Sequence, residues 1–142
     1  MDLRTRALID LPVKDGEGAL TVDFATVKPV RCRDWRTGRY YNEILVCGVE
    51  NIVWDRLNNG VMPVNVKHFL VGGDDVDNVV GVAVKDSGTA DGSKATCRIK
   101  LSELDTDKPY VDKIQAGFLK GVSVGYIVHT WERILHEDDT VD

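Results

Sequence analysis

The chain has 142 residues, 43% of them hydrophobic and 29% charged, which is enough for one domain that buries roughly two-thirds of its unfolded surface. That balance excludes a disordered or fibrous chain, and the longest apolar runs, such as Val79 to Val84, fall far short of the roughly 20 residues a membrane-spanning helix needs. A formal net charge of −5 argues against a protein that grips nucleic acid over its whole surface.

The opening residues Met1 to Arg6 contain neither a continuous apolar core nor a small-residue cleavage site, so no secretory signal is expected and the cytosol is the expected compartment. Leu20 to Val27 and Tyr40 to Val46 are rich in β-branched and aromatic residues and bounded by Gly or Pro, which predicts strands, with a turn centred on Thr37 and Gly38. Between them Arg31 to Tyr41 alternates arginines with aromatics, a pattern also found in single-strand binders. Its plainer reading is a solvated hairpin with snorkelling arginines. In Val49 to Gly60, Ile52, Val53 and Leu57 recur at helical spacing and Asn58-Asn59-Gly60 supplies a stop, predicting a short helix.

Pro63 to Val66 reads as a strand running into His68, and Val79 to Lys85 as another. The acidic, glycine-rich loop Gly72 to Asn78 lies between them. Counted from Asp74 or Asp75 it lacks the glycine and glutamate of a calcium-binding EF-hand, so a mobile loop is expected and no metal. Ala95 to Leu101 predicts a further strand, joined by the polar loop Asp86 to Ser93. The clearest helix follows, with Asp107 as its cap, Pro109 in the first turn, an apolar stripe of Tyr110, Val111, Ile114, Phe118 and Leu119, and Gly121 as its end. From Val122 the period becomes twofold, with Val122, Val124, Tyr126 and Val128 on one face and Ser123, Gly125, Ile127 and His129 on the other. Cys32, Cys47 and Cys97 are odd in number and widely spaced, so free buried thiols are expected instead of disulfides or a zinc site. Many strands and two helices make a single α+β domain over 1–142.

Gly121-Val-Ser123-Val-Gly125 fits the Gly-x-Ser-x-Gly pattern of the α/β-hydrolase nucleophile elbow, but that elbow needs a strand before the serine and a helix after it. The order here is helix, serine, strand. An α/β-hydrolase also needs its acid and histidine well downstream, and too little chain follows. Ser123 therefore reads either as a small residue beside a crowded neighbour or as a nucleophile of another kind. His68 stands at a strand end before a glycine-rich loop, where an imidazole can face a cleft.

Four stretches together resemble the prohead (capsid-maturation) serine proteases of tailed phages, over most of the chain. Pro29 to Leu45 is similar to the family's N-terminal hairpin, Pro63 to His68 to its histidine-bearing strand, and Val79 to Val84 to the strand that follows. Gly117 to His129 is similar to its helix-to-strand signature around the nucleophile, with Ser123-Val-Gly125-Tyr126 at the centre. The resemblance implies a fold related to the herpesvirus capsid-maturation protease, a mostly antiparallel β-barrel flanked by a few helices. It implies a serine endopeptidase, with Ser123 as nucleophile and His68 as general base, that processes scaffold and major capsid protein, and itself, inside an assembling procapsid. An ordinary imidazole titrates near neutrality, which suits a base that must return its proton. No cofactor is implied. The partners are phage proteins, neither nucleic acid nor membrane is expected among them, and self-association is allowed.

The family's third catalytic member sits in an acidic Leu-Glu-(Ile/Val)-Ser-like segment that does not occur before Asp142, which leads to the expectation of a truncated chain with 131–142 as a tail or loop. His129 shares the face of Ser123, but six residues of straight strand separate them by about 20 Å. Glu132, His136, Glu137 and Asp138 lie past the strand and could fold back, so Glu132, His136 and Asp138 are the candidates for the third position. Two other readings remain open. One is an inactive or truncated relative acting structurally in capsid assembly; the other is a small nucleic-acid-binding β-barrel, for which the arginine and aromatic hairpin speaks.

Overall fold

A computed structural model of the chain describes residues 2–8, 14–66, 78–119 and 121–134, with 2–8, 121 and 123 described by their backbone. Alternating apolar and polar residues in short runs, broken by Gly, Asp and Asn turns, give strands β1 (Asp2–Leu8), β2 (Leu20–Thr26), β3 (Val30–Arg33), β4 (Tyr40–Glu43), β5 (Pro63–Asn65), β6 (Val79–Ala83), β7 (Thr89–Ala90), β8 (Lys94–Leu101) and β9 (Gly121–Tyr126). Two helices, α1 (Asp55–Asn58) and α2 (Lys108–Gln115), interrupt them. Every ladder among the described residues is antiparallel. The expected α+β class with a mostly antiparallel sheet is what the chain forms.

The central sheet has the order β2-β8-β6-β5, with β7 added on β8, while β1 pairs with β9 and β3 with β4. Three β-bulges bend these ladders. Phe24 is extra opposite the Thr96 and Ala95 pairings, Val80 is extra opposite Val64 and Asn65, and Arg6 is extra between the Thr5–Ser123 and Ala7–Val122 pairs. Each bulge increases local twist, and the sheet curls into a half-barrel. The β1–β9 ribbon lies against β2.

The main core gathers Leu20, Val22, Leu57, Val80, Ala83, Cys97, Ile99 and Ile114. A second cluster of Ala25, Cys47 and Ala95 adjoins it. All three cysteines are free and buried, as expected. Burial away from water pushes the Cys97 thiol up to about 11, because desolvation disfavours the thiolate.

Several local expectations need correction. The segment Val49 to Gly60 is not one helix: a 3-10 turn at Val49–Asn51 is followed by extended Ile52, then by the single turn of α1. Trp54 accounts for the break. Its indole N–H donates to the Val49 carbonyl at 2.9 Å and its ring meets Phe24 edge-on at 6.1 Å, so tertiary anchoring outweighs the helical spacing. Gly88 is needed here, since a Cβ on it would lie 2.4 Å from the Trp54 ring.

Helix α2 ends at Gln115, and Gly117, not Gly121, terminates it. Gly117 adopts φ 79°, its N–H bonds to Ile114 and that of Phe118 to Lys113, the paired bonds of a Schellman motif. Phe118 and Leu119 therefore lie beyond the helix and are exposed, leaving Val111 and Ile114 as its buried contacts. Asp107 precedes α2 without capping it through its side chain; its carboxylate accepts the Ser102 hydroxyl at 2.5 Å. The strand expected over Tyr40 to Val46 stops at Glu43, and the Thr37–Gly38 turn joins β4 to β3 and not to β2. Finally β1, which the N-terminal reading overlooked, is the partner of β9.

The turn before β8 carries an acid-stability prediction. Asp91 accepts the backbone N–H of Lys94, then the hydroxyl and N–H of Ser93, and these donors lower its carboxyl to about 2. A carboxyl depressed on folding adds stability above its unfolded value near 4, and this is lost as pH falls through about 2. Asp15 and Asp34 are lowered in the same direction, first by backbone N–H groups of Ala19 and Arg36 respectively. Melting temperatures measured from pH 5 to pH 2 are expected to fall less steeply in Asp91→Asn than in the natural chain.

Candidate functional site

Ser123 stands in the middle of β9, its backbone paired with Thr5 of β1. The sequence positions it there because the Schellman turn at Gly117 releases the chain from α2 and the twofold pattern then begins. Burial alternates as expected from Val124 to His129: Val124, Tyr126 and Val128 are half-buried while Gly125, Ile127 and His129 are exposed. The ladder itself ends at Tyr126. The bulge at Arg6 falls between the partners of Val122 and Ser123, and bulges occur often beside active sites, where they re-aim a neighbouring side chain.

His68 lies within 67–77, outside the described residues, and so does the Gly72 to Asn78 loop except for Asn78. Both ends of that stretch are fixed. Val66, two residues before His68, donates its N–H to the Asn78 carbonyl at 3.0 Å, so the chain leaves β5 and re-enters β6 at neighbouring points. Val64 and Val66 pack on the main apolar cluster, and Val122, immediately before Ser123, packs on the same cluster. No ladder joins β5 to β9 among the described residues.

Of the candidates for the third position, His136 and Asp138 lie outside the described residues, as does Glu137. Glu132 is exposed and lies outside any strand or helix, and His129 is exposed just beyond β9. Among the described residues no group of three His, Cys, Asp or Glu side chains is arranged to hold a metal ion. A groove of about 530 Å³ lies elsewhere, between the end of β8 and α2, lined by Lys14, Glu17, Lys100 and Asp112 among others. Its charges are mixed.

One residue of the site region escaped the sequence reading. Glu43, at the end of β4, is buried to 3% exposure, and its carboxylate accepts the Tyr126 hydroxyl at 2.5 Å. This bond ties the β3–β4 hairpin to the strand of Ser123, three residues from it. The signal was present in the hairpin register: pairing Cys32 with Tyr41 and Val30 with Glu43 puts all four residues on one face, and Cys32 already reads as inward. A buried hydrogen bond contributes about 0.5–1.5 kcal/mol net, and leaving its partner unsatisfied costs about 1–3 kcal/mol. Tyr126→Phe, which removes the donor and leaves the carboxylate in place, is expected to cost about 2 kcal/mol in urea denaturation. In a double-mutant cycle with Glu43→Gln the two losses should not add.

A scan against protein-family models, a search of curated proteins and a search of solved structures each return no match to this chain.

Proposed function

We propose that the chain is a serine endopeptidase of the prohead-protease type, with a fold like that of the herpesvirus capsid-maturation protease, in which His68 takes the Ser123 hydroxyl proton and the oxygen attacks a scissile peptide carbonyl. His68 then returns the proton to the leaving amine, and water completes the cycle through the acyl-enzyme. The observation that supports this most is the shared anchoring of the two segments. Val64 and Val66 before His68 and Val122 before Ser123 rest on one apolar cluster, although β5 and β9 belong to different ladders. The β1–β9 ribbon abuts β2, the edge of the central sheet opposite to β5, so closing a barrel around that core brings β9 toward β5.

Each of the two strands is also paired across a bulge next to its candidate, at Arg6 for Ser123 and at Val80 for the strand leading to His68. The third member of the site falls to Glu132, His136 or Asp138, or to chain beyond Asp142. Scaffold and major capsid protein are the proposed substrates, within an assembling procapsid in the host cytoplasm. The described residues include no helix long and apolar enough to cross a membrane.

The test is to incubate the purified chain, and a form extended by its natural downstream sequence, with a capsid precursor and to identify new fragments by mass spectrometry. Cleavage that disappears in Ser123→Ala is the expected result. Cleavage by Ser123→Ala at the natural rate overturns the nucleophile assignment. Absence of cleavage by both natural forms favours a purely structural role in assembly.

A further inference from the structure

The β3–β4 hairpin carries a second surface, chemically unlike the rest of the molecule. Its register pairs Arg33 with Tyr40 and Arg31 with Asn42, and all four side chains are exposed, while Cys32 and Glu43 on the other face are buried. The Arg31 guanidinium lies 4.6 Å from the Tyr40 ring centre. That of Arg33 lies 5.7 Å from the same ring and 6.0 Å from Trp35. Trp35, at the turn, is 88% exposed.

Arg36 and Arg39 complete a set of four arginines within residues 31–39, where Asp34 is the single acid. Asp34 offsets only one of the four charges: its carboxylate, which interacts electrostatically with Arg36, accepts the Arg36 backbone N–H at 2.9 Å and the Thr37 hydroxyl at 2.9 Å and so also holds the turn. None of the four arginines forms an ion pair among the described residues. A chain of net charge −5 thus keeps a concentrated positive excess on one small ribbon.

We propose that this hairpin binds single-stranded nucleic acid, with the arginines on phosphates and Trp35 as a stacking platform for a base. A guanidinium lying over an aromatic ring keeps in-plane N–H donors for a phosphate, although the Arg33 Nε–H is partly engaged by the Gly38 carbonyl at 3.3 Å. The exposed indole decides between polyanions. Carboxylates of an acidic peptide would use the arginines alone, whereas a nucleobase also uses the π-face. A duplex keeps its bases stacked inside and offers that face nothing. The acidic remainder of the surface confines the footprint to the hairpin. This site does not depend on Ser123 or His68.

The test measures fluorescence anisotropy of a labelled oligothymidylate about 16 nucleotides long against the natural chain, Arg31→Ala/Arg33→Ala and Trp35→Ala, each verified by circular dichroism. For four phosphate contacts on a single strand, log K should fall against log salt with a slope of about −2.8, and the double variant should lower that magnitude by about 1.4. The double variant is expected to bind at least about 10-fold more weakly. Trp35→Ala is expected to lose about 10-fold with the salt slope unchanged, because stacking releases no counterions. Polyglutamate of matching length and duplex DNA should compete poorly. The proposal is overturned by no binding, by binding that survives in either variant, or by equal competition from polyglutamate or duplex.

Discussion

Ser123→Ala and His68→Ala are each expected to lower peptidase turnover by about 10⁴-fold or more, and the double variant to lose little beyond either alone. In the proposed dyad the two groups act as one unit. Without the imidazole, the hydroxyl holds its proton and is a poor nucleophile. Without the hydroxyl, the imidazole has nothing to deprotonate. Independent contributions would multiply, so the single and double rates, measured on one peptide drawn from an identified cleavage site, separate a dyad from two unrelated residues. Secondary structure should persist in both variants. A His68→Ala enzyme within tenfold of the natural rate would remove His68 as base and turn attention to His136.

Gly81→Ala is expected to destabilise the domain by about 3 kcal/mol, a fall in melting temperature of about 10 °C. Gly81 sits in β6, between β5 and β8, paired with Val64 on one side and Leu101 on the other. A Cβ there would lie 2.4 Å from the Lys100 carbonyl oxygen and 3.3 Å from the Leu101 Cα. Both are backbone atoms of a neighbouring strand, so relief requires the ladder to part. Gly16→Ala is the control, since a Cβ at Gly16 meets nothing within 4 Å and should change stability by less than about 0.5 kcal/mol. Because β5 is held to the sheet through β6, Gly81→Ala should also depress peptidase activity below what the remaining folded fraction accounts for. Equal stability of the two variants would show that β6 and β8 can separate freely.

Much of the β architecture was legible in the residues because strand signals are local. Val79 to Ala83 and Ala95 to Leu101 declare themselves through β-branched content and turn residues at their ends, and Val122 to Tyr126 through its alternation. The helix of Val49 to Gly60 failed because spacing alone cannot see Trp54 anchored to Val49 and Phe24. Gly121 reads as the helix end because Phe118 and Leu119 extend the apolar stripe past Gly117, and only the closing bonds to Lys113 and Ile114 show that the helix stops earlier.

The chain's own residues determined the twofold pattern around Ser123, the free buried cysteines and the arginine and aromatic content of the hairpin, since each depends on neighbours within a few positions. Tertiary structure alone decided that β1 is the partner of the serine strand, that Glu43 is buried against Tyr126, and that Val64, Val66 and Val122 share one core. Those are pairings between residues 56 to 124 positions apart. Their selection rests on apolar burial, which is nearly indifferent to which strand supplies the area, and on bulges and register that no single segment encodes.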